Sequence, residues 1–106
     1  MNNEARLDEL TQKIENHFDG RDPFVVPRGE PQVEEHVMDM FEIRSIQDGR
    51  AQLQHVFNDR IYSVTIGDKE IASLLRPRDV FLMAIVRRRD SWRVWHMSAP
   101  YETCQT

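Results

Sequence analysis

The residues of this chain best suited to chemistry lie in its second half: Arg76, Arg78, Arg87, Arg88, Arg89 and Arg93, with Trp92 and Trp95 interleaved. A guanidinium pairs with phosphates and stacks on planar rings, and a solvent-facing indole offers a platform worth about 1–3 kcal/mol per stacked base. Trp and Arg also dominate the energetic centres of protein interfaces. The set therefore fits two uses, a grip on single-stranded RNA or DNA through an Arg/Trp face, or a contact with another protein or a second copy of this chain. The charge balance separates them. With a net charge of −4 and a pI of about 5.5, the chain lacks the basic footprint of a nucleic-acid domain. Residues 1–43 hold four basic side chains against eleven acidic ones, a balance of −7, while residues 44–106 hold ten against seven, a balance of +3. The acidic part repels a polyanion wherever it lies near the arginines. The sequence thus points to a non-enzymatic protein-interaction or assembly module, with Trp92, Arg93 and Trp95 at its centre and Arg87, Arg88, Arg89, Arg76 and Arg78 beside them. Nucleic-acid binding is the alternative, and an enzyme of uncharacterised type the second alternative.

Catalytic and metal chemistry find little to stand on. His17, His36, His55 and His96 show no close pair spacing of the kind a zinc site uses. His55 shares an expected strand face with Leu53 and Phe57, where a histidine satisfied by a structural hydrogen bond is the expectation. There is no glycine-rich phosphate loop, no G-x-S-x-G elbow and no H-E-x-x-H helix. Glu34-Glu35-His36 offers acid–base groups in a row, but a strand sends such neighbours to opposite sides. The expectation is no metal, no cofactor and no catalytic residue. A single cysteine, Cys104, permits no internal disulfide and suits a reducing compartment. No apolar run approaches the roughly 18–20 residues of a membrane span, and Met1-Asn2-Asn3-Glu4 lacks the features of a signal peptide. The expected location is cytoplasmic, without membrane association.

The elements that must position these residues follow from periodicity. A length of 106 residues, 40% of them hydrophobic, suffices for one modest core and one domain. Leu7, Leu10, Ile14 and Phe18 recur at helical spacing, giving an amphipathic helix over 3–18 that stops before Gly20. Its stripe packs on the body of the protein, with dimerisation the runner-up, since about two heptads are too few for an independent coiled coil. Pro23, Pro27 and Pro31 make 20–35 a linker, with Phe24-Val25-Val26 as a sticky patch within it.

Five strands follow over 37–97. Alternation marks 37–46, 50–57 and 60–67, joined by turns at Asp48-Gly49 and Asn58-Asp59 into a three-stranded meander. Strand two should place Ala51, Leu53, His55 and Phe57 on one face. Asp68 caps a short helix carrying Ile71, Leu74 and Leu75, which Pro77 ends. The apolar run 80–86 reads as a strand covered on both faces, and 92–97 as a fifth strand after a turn at Arg89-Asp90. On strict alternation Trp92 and Trp95 face opposite sides unless a bulge intervenes. Residues 98–106 form a loose tail.

Three strands, a short helix and two strands, with Leu75-Arg76-Pro77-Arg78-Asp79-Val80 leading into the fourth strand, resembles the order of OB-like barrels, and SH3-like barrels use a similar strand count. The resemblance implies a mainly β fold, a small five-stranded antiparallel barrel or strongly curled sheet, and carries no ligand motif with it. Such barrels often have glycine where this chain has Arg78.

Overall fold

The computed structural model describes residues 3–20 and 33–98. Most of the linker expected at 20–35, including Phe24-Val25-Val26, and almost all of the tail expected at 98–106, with Cys104, lie outside the described residues. The elements run α1 (Asn3–His17), β1 (Glu35–Gln47), β2 (Arg50–His55), β3 (Ile61–Thr65), α2 (Lys69–Leu74), β4 (Val80–Arg88) and β5 (Ser91–Met97).

The five strands close into a ring in the order β1-β2-β3-β5-β4. Four of its contacts are antiparallel, but β3 and β5 pair in parallel, so the sheet is mixed and not the all-antiparallel one expected. The parallel seam is also the shortest, with two register pairs, Val64↔Trp92 and Thr65↔Arg93. Closure depends on a long, bent β1. Its first half pairs with β4, from Glu35↔Arg87 to Glu42↔Val80, and its second with β2, from Phe41↔His55 to Gln47↔Arg50. Within the β2-paired half the register steps past Arg44, a bulge that bends the strand and keeps Phe41, Ile43 and then Ile46 turned inward. A matching step past Trp95 on β5 keeps Trp92 and Val94, and then Met97, against the core.

The core is continuous from ring to helices. Phe41, Ile43, Leu53, Val64, Phe81, Met83 and Ile85 fill the ring, and Ile71 and Leu75 of the α2 region cap it. Asp68 caps α2, its Oδ1 accepting from the Ile71 amide at 2.9 Å. The α1 stripe is spent inside: Leu10, Ile14 and Phe18 are buried, which removes it as a dimerisation seam or sticky surface. The helix runs antiparallel to α2, as its polar contacts trace. Arg6 reaches the Leu74 carbonyl (2.7 Å) and Asp79, Lys13 approaches Glu70 (3.4 Å), and His17 approaches Asp68 (3.3 Å).

The turns obey local stereochemistry. Asp48-Gly49 (φ 53° and 77°) and Arg89-Asp90 (φ 50° and 67°) have both central residues left-handed, as the two-residue turns that match strand twist require. Arg78 is also left-handed, at φ 79°, with an exposed side chain and an amide donating 2.8 Å to the Ile43 carbonyl. This is the position where glycine was missed in the sequence. A left-handed L-residue costs about 1–2 kcal/mol, and glycine's extra unfolded-state freedom takes back about 0.5–1 kcal/mol. Arg78→Gly should therefore stabilise the domain by about 0.5–1 kcal/mol, read as a higher urea midpoint at unchanged slope. No gain over an Arg78→Ala control would remove backbone strain as the explanation.

Candidate functional site

The third turn departs from the two-residue pattern and creates the most conspicuous surface feature. β2 ends at His55, and a four-residue loop, 56–59, leads to Arg60 and β3. The His55 amide donates to the Arg60 carbonyl (2.8 Å) and the Asp59 amide to the His55 carbonyl (2.9 Å). Phe57 thus belongs to the loop, not to the inner face with Ala51, Leu53 and His55, and it is 74% exposed. Val56 (44%), next to it in the loop, and Ile61 (50%), at the start of β3, are also exposed, and these three are the large apolar residues exposed among the described residues.

His55 holds that loop in place. Its Nδ1 lies 3.1 Å from the Phe57 amide and 3.3 Å from the Asn58 amide, so it accepts from them. The proton therefore sits on Nε2, which donates to Asp39 Oδ2 at 2.8 Å. In this tautomer both ring nitrogens of His55 are engaged, Nδ1 with the loop amides and Nε2 with Asp39. Asn58 Oδ1 accepts from the Arg60 amide (2.8 Å), and Gln54 donates to Asp59 (3.3 Å). The loop is ordered by polar contacts while its apolar side chains point to solvent.

The arginines and tryptophans singled out by sequence do not gather into one face. Arg76 and Arg78 precede β4 and Arg87, Arg88 and Arg89 end it, so the two groups are separated by roughly 26 Å of strand at about 3.3 Å per residue. Register sets acidic β1 residues beside the triplet. Arg87 lies 3.3 Å from Glu35 and 3.5 Å from Asp90, although its Nε is not aligned for a hydrogen bond, and the Arg89 amide donates to Glu34 (2.8 Å). Three carboxylates, Glu34, Glu35 and Asp90, thus stand beside the Arg87–Arg89 segment. Arg76 folds back to donate to the Ser73 and Leu75 carbonyls (3.1 and 3.0 Å). Trp92 meets Tyr62 edge-on, with centroids 5.0 Å apart, and packs against the core. Arg93 is exposed, and with Trp95 it lines a cleft of about 240 Å³ at the β3–β5 seam, closed on one side by His17 and Phe18.

A larger open cleft, about 730 Å³, lies at the opposite end of the β2–β3 hairpin from Phe57. The Asp48-Gly49 turn, the end of β3 and α2 enclose it, with Ile46, Ile66, Ala72 and Leu75 supplying its apolar lining. Lys69 and Arg76 stand at its rim. Neither the loop tip nor this cleft was picked out by sequence. The signal for the tip was available in Asn58-Asp59, which ends β2 before the alternation does; the cleft has no sequence signal.

Compared with known proteins, the chain matches no protein-family model and no curated protein.

Proposed function

We propose that this domain is a non-enzymatic protein-interaction module built on an OB-like barrel, with the 56–61 tip as its contact surface. The order β1-β2-β3-β5-β4, with α2 between β3 and β4, supports the OB-like reading over an SH3-like one. One observation carries the functional reading: the exposed Phe57, with Val56 before it in the loop and Ile61 exposed at the start of β3, sits on a loop already ordered by His55, Asn58 and Gln54. An aromatic presented on a preorganised loop gives up little conformational entropy on docking, which is what makes a residue an interface anchor. Trp92, Arg93 and Trp95 are secondary here, because Trp92 is engaged with Tyr62.

The competing nucleic-acid reading makes a different demand, steep loss of affinity with salt through counterion release. The expected result is no measurable oligonucleotide binding at physiological salt, while Phe57→Ser removes the domain's protein contacts and Trp92→Ala leaves them. Micromolar oligonucleotide binding that replacement of Arg87, Arg88 and Arg89 by Ser abolishes would overturn the proposal.

A further inference from the structure

Resting on that reading of the tip, we infer that its partner is the apolar cleft of a second copy of this chain, docked head to tail. The two features are complementary in shape and charge. The tip projects Val56 and Phe57, whereas the cleft is an open concavity of about 730 Å³ whose wall mixes the half-buried apolar side chains of Ile46 and Ala72 with polar ones, room enough for two such groups. Around the tip stand two carboxylates, Asp39 and Asp59, and one cation, Arg60; around the cleft stand two cations, Lys69 and Arg76, and one carboxylate, Asp48. The local balances are opposite in sign, which orients the approach and rejects tip-to-tip and cleft-to-cleft pairing. Lys69 makes no ion pair within the described residues and is exposed, so it is available to Asp59 of the neighbour.

Position excludes closure within one chain. The tip sits where β2 ends and β3 begins, and the cleft where β2 begins and β3 ends, so the six residues of β2 separate them by roughly 17–20 Å. One molecule can then offer a tip in one direction and a cleft in the other. Such a contact is heterologous: it adds copies in a row, or closes into a ring of several if the rotation allows.

Sedimentation equilibrium over a wide concentration range tests this. The weight-average mass of the full chain should rise with concentration above the 12.6 kDa of one copy, and the rise should weaken with added salt. Phe57→Asp at the tip and Ser73→Trp at the cleft wall, both at exposed positions, should each abolish the rise, and Lys69→Glu should reduce it. Mixed together, Phe57→Asp supplies an intact cleft and Ser73→Trp an intact tip, so the pair should form a one-to-one heterodimer and grow no further. A wild-type mass fixed at one copy would overturn the inference, and if Phe57→Ser still lost a foreign protein, the interaction module itself would stand. A mixture that stays monomeric although each single substitution abolishes association would overturn it in favour of a symmetric contact.

Discussion

Replacing Arg6 by alanine will destabilise the domain by about 3–5 kcal/mol, the effect expected when one partner of a buried ion pair is removed and the other is left without its counter-charge. The side chains of Arg6 and Asp79 are only 10% and 11% exposed. The guanidinium meets both carboxylate oxygens, Nη1 to Oδ2 at 2.9 Å and Nη2 to Oδ1 at 3.0 Å, and Nη1 also donates to the Leu74 carbonyl. Asp79 Oδ2 further accepts from the Arg76 amide, so this carboxylate ties α1, the end of α2 and the start of β4 together. Arg6→Lys, which keeps the charge and loses the planar fork, should fall between wild type and alanine. Replacing both residues by leucine should be less harmful than either single alanine, because no charge is then left buried. Urea denaturation of the four variants measures the series, and a loss below about 1 kcal/mol for Arg6→Ala would mean the pair contributes no more than an exposed one.

The second large effect lies at the centre of β4. Ile85 is fully buried, so Ile85→Ala should cost about 2–5 kcal/mol, a transfer loss plus the cavity left between elements that cannot collapse into it. Leu82 is half-buried, opposite Met40 on the outer face of the ring, and Leu82→Ala should cost distinctly less. Denaturation midpoints at equal slopes give the comparison. Equal losses at the two sites would show that the strand is covered evenly on both faces.

The run 80–86 illustrates what was legible in the sequence. The unbroken apolar stretch identifies the strand and its buried Phe81, Met83, Ala84, Ile85 and Val86, but the cover expected on both faces is incomplete at its start, where Val80 and Leu82 are only half-buried. Residue chemistry with a strictly local outcome was equally readable: Asp48-Gly49 and Arg89-Asp90 turn the chain, Asp68 caps α2, and Leu10, Ile14 and Phe18 face the core. Alternation specifies a strand but not its neighbours. The pairing of β1 with β4 and the parallel seam join segments far apart in the chain, and the Arg6–Asp79 pair spans 73 residues, so nothing local marks them. Bulges break alternation silently. The step past Trp95 could be named as a condition on the two tryptophans but not placed. At Phe57 the opposite error arose, since alternation continued past the point where the loop had already begun.

The β3–β5 seam has a consequence for how the protein behaves in a crowded solution. Cut there, the ring unrolls into the order β3-β2-β1-β4-β5, with every remaining contact antiparallel and no strand lost. The seam therefore removes two sheet edges, each a row of backbone donors and acceptors open to any other extended chain. Beside this short ladder, His17 and Phe18 at the end of α1 line the neighbouring cleft. The helix whose stripe packs on the body of the protein thus also ends beside the ring's shortest ladder, the place where an opened sheet would recruit other extended chains.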